Sequence, residues 1–306
     1  LSAGDMFQGT PISNLFRGRP VIETMNRMGF DAMTVGNHEF DWGLEASQDL
    51  RKAASFPFLS ANILDERGAL LPGVKPYILI RKKGLKIAVI GITTPETHYA
   101  TKPENLKGFR VAAVEKVLPG LIAKLRKEGA GPVVVLSHLG LDEDRELASK
   151  VEGIDLIVGG HSHTEVKTAV TVGATRIVQA GYYGQQLGVL AIAVDRESRR
   201  VVRCPEKRIL RKVKAGPGDP VDAAVAAVIK TYDDQIREEF GRAVGETRVD
   251  LAKRPFESNL GNLVCDAMRE ATGADAAIQN NGGIRTNLPK GKITMEQVYM
   301  LLPFDN

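Results

Sequence analysis

Four short stretches of the chain combine glycine with side chains that can hold a metal ion: Gly4-Asp5, Gly36-Asn37-His38-Glu39-Phe40-Asp41, Ser137-His138 and Gly159-Gly160-His161-Ser162-His163. Four of the five histidines fall in them. Imidazole, carboxylate and amide oxygen are the donors that Zn, Mn, Fe or Co accept, and no cysteine stands near enough for a purely structural zinc site. His161 and His163 are separated by one residue, so in an extended backbone both rings would point to the same side and address two neighbouring ions. Any one of these motifs alone is better explained by core histidines and turn-forming Asp and Asn. Four together point to a metal centre.

The elements around these motifs must place them. Apolar, β-rich runs at 31–35, 56–61, 85–92, 132–137, 154–158 and 187–194 predict strands. Helical patterns at 20–28, 44–54 and 114–128 alternate with them, and Gly29 and Gly129 suit helix ends. This is an α/β order, and the candidate ligands lie just after predicted strands. Loops beyond the carboxyl ends of strands are where such folds bind ligands. A basic stretch at 196–214 runs into the turn-rich Ala215-Gly216-Pro217-Gly218-Asp219-Pro220, which reads as a junction. A long helix is expected next, capped by Asp219 with Pro220 at its first position and carrying an apolar stripe to Phe240. A further helix over 259–271 and a strand over 276–279 complete the expected elements. The expected domains are 1–195, a linker at 196–218, and 219–306.

Composition sets the outer bounds. At 306 residues the chain can bury one medium domain and a smaller one. Hydrophobic residues make up 43% and charged residues 25%, and no apolar run approaches the roughly 20 residues of a membrane helix. The 41 basic and 37 acidic residues give a net charge of +4 and are intermixed, which favours anionic small substrates and argues against a nucleic-acid polymer as partner. The two cysteines, Cys204 and Cys265, have no zinc-knuckle spacing and read as plain buried thiols. The first residue is Leu1, without Met, inside what reads as a strand, so no targeting segment can be read.

Taken in order, Gly4-Asp5, the Gly36-Asn37-His38-Glu39 block, Ser137-His138-Leu139-Gly140 and Gly160-His161-Ser162-His163 resemble the calcineurin-like metallophosphoesterases. Within them, Leu59-Ser60-Ala61-Asn62-Ile63, Asn281-Gly282-Gly283-Ile284-Arg285 and Leu302-Pro303-Phe304 resemble the 5'-nucleotidase and UDP-sugar hydrolase branch. The resemblance implies a four-layer β-sandwich of metallophosphoesterase type flanked by helices, followed by part of an α/β 5'-nucleotidase C-terminal domain. It implies two divalent ions, with Asp5 bridging both, Asn37, His138 and His161 completing one, and His163 belonging to the other. It makes His38 and Asp41 a catalytic pair: an imidazole that titrates near neutrality can protonate a leaving oxygen, and the carboxylate fixes its tautomer. Glu39 reads as a group that orients its loop, Trp42 as packing and His98 as a loop residue.

By the same resemblance, Arg254, Asn280 and Arg285 contact the substrate and Phe304 stacks on its base. Without it, Arg254 reads as a surface charge and Phe304 as a core residue. Asp250 stands where a bacterial subset carries another phosphate-binding arginine. The implied activity is hydrolysis of nucleoside 5'-monophosphates to nucleoside and phosphate. UDP-sugar hydrolysis, 2',3'-cyclic-nucleotide phosphodiesterase activity and thiosulfate-ester hydrolysis are the near alternatives. A nucleotide-binding surface protein without turnover is the alternative of another class. Export to the periplasm, cell surface or medium is implied. The family's Asp-x-His motif on the first strand has no counterpart in these residues, so one ion would keep only Asp5 and His163, and these 306 residues are expected to hold at most one ion well and to be inactive or weakly active.

Overall fold

The computed structural model describes residues 1–204, 208–214, 216 and 218–304, so positions 205–207, 215 and 217 of the expected linker, and 305–306 at the end, lie outside the described residues. The chain forms two compact units. The first comprises Leu1–Met6 and Met25–Val221, the second Phe7–Thr24 and 222–306.

The first unit is built on a six-stranded mixed sheet in the order Val170–Val172, Thr175–Gln179, Leu156–Gly159, Val133–His138, Leu85–Thr93, Tyr77–Lys82. The four inner strands are parallel and the two outer ones antiparallel. Strand alternation divides their side chains cleanly. Ala88, Ile90, Ile92, Val133, Val135, Ile157 and Ile177 enter one apolar cluster, while Val89, Val134, Leu136 and Leu156 enter another with Leu59 and Ala32. Both faces are therefore covered, as a parallel sheet requires. The first cluster is closed by Leu118, Ile122 and Leu125, which recur on one face of the Val114–Lys127 helix, and by Leu147 of the Leu141–Lys150 helix. A small parallel sheet of Met33–Thr34, Phe58–Leu59 and Val74–Lys75 carries the loop that follows residue 35.

Register decides where the chemistry lands. Thr93 pairs with His138, Ser137 with Gly159, and Gln179 with Gly159, so the parallel strands end at one level. Beneath that edge, Asn62 is fully buried and works as a clamp: its amide donates to the Thr93 and Ala112 carbonyls at 2.8 and 2.9 Å, and its Oδ1 accepts from the Thr93 N–H at 2.9 Å. The Thr93 hydroxyl in turn donates to the Val35 carbonyl at 2.7 Å, tying the central strand to the start of the His38 loop.

The second unit has a smaller core of Leu260, Val264, Ile284, Leu288 and Leu301. Its longest helix is Ala223–Phe240, and the Asp222 carboxylate caps it by accepting from the Ala224 and Val225 N–H groups at 2.9 and 3.0 Å. Ser258 caps Asn259–Thr272, which ends on Gly273 in the left-handed region. A capping box of Thr294 and Gln297 starts Met295–Leu301, next to the antiparallel pair Ala243–Thr247 and Gly291–Thr294. Residues 7–24 join this unit through the Phe16–Tyr232 ring contact at 4.8 Å and the bond from Asn14 Nδ2 to the Pro303 carbonyl at 3.2 Å.

Three expected elements need correction. The long helix is capped by Asp222, not Asp219, because that carboxylate is the one that meets the first two unpaired amides. The expected strand over 276–279 is not a strand; no described segment pairs with it. The run at 187–194 splits into Gln186–Gly188 and Ala193–Val194, paired with Leu210–Lys212 and Val201–Arg203 respectively. Part of the basic stretch is structural as well, since Arg200 Nε meets the buried Asp155 Oδ1 at 2.5 Å, beside the Arg126 guanidinium on the same carboxylate.

Candidate metal centre

Asp5 sits at the end of the first chain segment with φ 54°, a conformation that costs energy for a residue with a side chain. Glu39 holds it there. Its carboxylate accepts the Asp5 and Met6 N–H groups at 3.0 Å each and the Gly36 N–H at 2.5 Å, which gives the loop-orienting role read from sequence a physical form. Gly36 must be glycine, because a Cβ there would meet the His138 ring at 2.8 Å and press on the Asp5 carboxylate. The Asp5 Oδ1 accepts the His38 N–H at 2.8 Å, so the two loops are stitched together through the candidate ligand itself.

His138, 1% exposed, is the centre of the site. Its Nδ1 donates to the Ala3 carbonyl at 2.6 Å, and a carbonyl can only accept, so in the neutral ring the lone pair lies on Nε2. That nitrogen faces Asp5 Oδ2 at 2.9 Å and Asn37 Oδ1 at 3.2 Å. Three acceptors thus converge on one place, and only a cation or a proton reconciles them. Asp5, His138 and His161 each offer a ligand atom, all within 4.8 Å of one another. Nitrogen with carboxylate and amide oxygen is a donor set that fits a divalent ion such as Zn or Mn. With no ion bound, burial resists charge on His138, but the facing Asp5 carboxylate outweighs it and moves the imidazole above its usual range. The Asp5 carboxyl is held well below its usual range: burial opposes this, and the His138 and His38 charges overcome it. Glu39 is pushed up to about 7, by burial first and by the Asp5 charge next.

His38 and Asp41 form the other half of the site. They stand on the short 3-10 turn His38–Phe40 and its cap, and Nδ1 of the imidazole lies 2.7 Å from Asp41 Oδ2, both side chains less than one-fifth exposed. His38 is not among the three residues grouped as candidate ligands, and its main-chain N–H is the one donated to Asp5 Oδ1.

The expectation of an extended His161-Ser162-His163 is not met. Both histidines have positive φ, 70° and 57°, so the chain doubles back and the rings part company. Ser162 pins the turn: its hydroxyl donates to Gln179 Oε1 and accepts the Leu141 N–H, at 3.0 Å each. His161 faces His138, ring centroids 4.9 Å apart, while His163 stacks on Tyr182 at 5.4 Å with Tyr183 at 6.2 Å. Sequence reading missed Tyr182, Tyr183, Glu96 and Asp144. The Asp144 carboxyl, fully buried, takes the Ser137 hydroxyl bond and is pushed up to about 7, chiefly by burial. A carboxyl on an otherwise acidic helix gives no outward sign of this. His98 belongs to the short helix Thr97–Ala100, where its Nε2 accepts the Val111 N–H at 3.0 Å.

In the second unit, Arg254 and Asn280 are exposed. Arg285 lies with its guanidinium carbon 5.5 Å from the centre of the half-buried Phe304 ring, and Asn280 Oδ1 accepts from Gln279 Nε2 at 3.0 Å.

Oxygen and nitrogen acceptors gathered at the carboxyl ends of parallel strands, with a histidine–aspartate pair among the same loops, make up a candidate metal centre. Residues 1–165 match the calcineurin-like phosphoesterase family and residues 242–306 the 5'-nucleotidase C-terminal domain. The chain is 34% identical over 346 residues to snake venom 5'-nucleotidase of Crotalus adamanteus, with 99% of this chain and 58% of that protein covered. It is 32% identical to protein UshA of Yersinia enterocolitica, covering all of this chain and 64% of that one. The crystal structure of a 5'-nucleotidase precursor from Thermus thermophilus superposes with a TM-score of 0.89 at 33% identity, over 99% of this chain and 64% of that one. The chain therefore belongs to the calcineurin-like phosphoesterases, in the branch that carries the 5'-nucleotidase C-terminal domain. It spans 58 to 64% of the length of these relatives.

Proposed function

We propose that the protein hydrolyses nucleoside 5'-monophosphates to nucleoside and inorganic phosphate, using two divalent ions. The observation that carries the reading is the convergence of Asp5, Asn37 and His138 on one cation position beside the His38–Asp41 pair. Asp5, Asn37, His138 and His161 would hold one ion; Asp5 and His163 would contribute to the other. Divalent ions there would supply Lewis-acid chemistry toward the phosphoryl group. Asp41 accepts from His38 Nδ1, so the proton for the departing ribose oxygen would come from His38 Nε2. Arg254, Asn280 and Arg285 would bind the nucleotide's polar groups and Phe304 its base. No nucleic-acid polymer is expected as a partner, because basic and acidic residues are intermixed along the sequence.

For the protein holding both ions, phosphate release from AMP that stops with a chelator and is restored by Mn or Zn is the expected result. A panel with UDP-glucose, cyclic AMP and bis-nitrophenyl phosphate ranks the substrate classes. Tight AMP binding with no metal-dependent phosphate release would replace the enzyme with a nucleotide-binding protein. We place the protein outside the cytoplasm, in the periplasm, at the cell surface or in the medium, as nucleotide scavenging there would demand. No helix among the described residues is long and apolar enough to cross a membrane. Recovery from the cytosol alone would overturn that placement.

A further inference from the structure

The two facing histidines of the metal centre are held by opposite nitrogens. His138 is fixed at Nδ1 by the Ala3 carbonyl, which leaves Nε2 to the other ligands. His161 is met instead at Nε2, where the Glu96 carboxylate lies 3.2 Å away. Glu96 follows the Leu85–Thr93 strand, the neighbour of the strand that ends in His138, and its own N–H is donated to Thr94 Oγ1 at 3.2 Å. Nothing in the metal or catalytic set described above uses it. A carboxylate accepts and does not donate, so its bond to a neutral imidazole requires the hydrogen on Nε2 and leaves the lone pair on Nδ1. The backbone at His161, with φ 70° and its turn pinned through Ser162, sets where the ring is but not which nitrogen carries the proton.

We infer that Glu96 is the positioning residue of His161: it holds Nε2–H and so presents Nδ1 as the ligand atom. Metal-binding histidines commonly donate their second ring N–H to a carboxylate or carbonyl, which fixes the tautomer and makes the ligand more basic. Here one site uses both devices, a backbone carbonyl for His138 and a side chain for His161. The side-chain device is the one that substitution can remove. Glu96 is 47% exposed, so its loss leaves no buried gap and the variant should fold. The assignment of a metal role to His161 rests on the reading proposed above; the tautomer does not.

The test uses the metal-free protein with ¹⁵N-labelled histidine at about pH 8.5, where imidazole is ordinarily neutral. Long-range ¹H–¹⁵N spectra read each ring's tautomer, and His161→Asn identifies the His161 signals. The parent and Glu96→Gln, whose amide oxygen still accepts, should show His161 protonated at Nε2, and Glu96→Ala should show a mixture. Zn or Mn affinity, measured by chelator competition, should fall by about 10- to 100-fold in Glu96→Ala and largely recover in Glu96→Gln. An unchanged tautomer and affinity in Glu96→Ala would overturn the inference. So would a Glu96→Gln loss as deep as that of Glu96→Ala, which would make Glu96 a ligand in its own right. A parent that binds no divalent ion would instead remove the metal reading of the site, and the tautomer comparison would still decide the part of Glu96.

Discussion

In the unit that carries the parallel sheet, Asn37 and His138 are buried, Asp5 is part-buried, and the three are in contact with one another, while His163 is exposed. His138 and Asn37 are 1% and 3% exposed, and Asp5, Asn37 and His138 aim acceptors at a common point. In the unit built around Ala223–Phe240 and Asn259–Thr272, Arg254 and Asn280 are exposed, and Arg285 rests on the half-buried Phe304. The difference matches what each would bind under the function proposed above. Converging acceptors repel one another, and a low-dielectric pocket makes this worse, so such a cluster persists only where a rigid core forces it. A guanidinium on the surface is well solvated and loses mainly side-chain entropy when an anion arrives. On the function proposed above, the first unit would set its specificity by geometry and the second by side chains that settle on the nucleotide.

The largest expected effect tests the first half of that contrast. Asp5→Asn removes the one carboxylate among the converging acceptors, so bound metal and AMP hydrolysis should both fall to background. His38→Asn keeps the acceptors and should lower turnover by about 10²- to 10⁴-fold while the metal content, read by elemental analysis, stays near that of the parent. Metal loss in His38→Asn would show that the proton donor and the ligand cluster are not separable, and the division of labour in this unit would fail.

Much of the first unit is legible in sequence because its signals are local. Near-continuous apolar runs at 85–92 and 132–137 announce strands buried on both faces, and the polar residues just beyond them announce the site. What could not be read is set by contacts distant along the chain. Nothing near Glu96 predicts that it meets His161, 65 positions later. The hairpin register that splits 187–194 depends on partners at 201–203 and 210–212. Residues 7–24, which lie between Asp5 and the rest of the first unit in sequence, belong to the second unit, and no local pattern in them says so. The opposed rings of His161 and His163 depend on positive φ at two residues that are not glycine, in a turn held by bonds from Ser162 and Thr164 to Gln179 and from Leu141 to Ser162. Periodicity, which finds strands and helices, is blind to all four.

A smaller effect concerns the cost of burying carboxyl groups under the metal centre. Asp144 is pushed up to about 7 by burial, against the pull of the Ser137 hydroxyl bond. At low pH the carboxyl is protonated in both the folded and the unfolded chain, and the stability it allows is complete. As pH rises from about 4 the unfolded chain releases this proton while the folded chain keeps it, so stability drains away until pH passes about 7 and is flat beyond. Asp144→Asn should abolish this loss, making the metal-free protein more stable than the parent at pH 8 by an amount on the order of a few kcal/mol. Glu39 adds a slope of the same sign, so the difference between parent and variant is the quantity to read by calorimetry across pH 4 to 8. A variant less stable than the parent at pH 8 would mean that Asp144 is ionised and paired in the fold, and that burial here is compensated after all.

The smallest effect tests the second half of the contrast, the unit in which Arg254 and Asn280 are exposed. If Arg285 binds a nucleotide's charged group, Arg285→Ala removes one charge-assisted contact worth about 1.5–3 kcal/mol, so AMP affinity should weaken by roughly 10- to 100-fold. Arg254→Ala should act in the same direction. Turnover at saturating AMP should change little, because neither residue belongs to the converging acceptors or to the His38–Asp41 pair. Hydrolysis of bis-nitrophenyl phosphate, which offers no base for Phe304 and little for the arginines, should be nearly unaffected in kcat/KM. Arg285→Lys keeps the charge but loses the planar fork and its seat over the Phe304 ring, so it should recover only part of the AMP affinity. Equal losses on AMP and on the nitrophenyl ester would break the comparison, because the arginines would then serve the reacting phosphoryl group in common and not the nucleotide. Losses confined to AMP, with Phe304→Leu matching Arg285→Ala in direction, would sharpen it: chemistry held by the buried sheet edge, choice of substrate made by the exposed side chains of the helical unit.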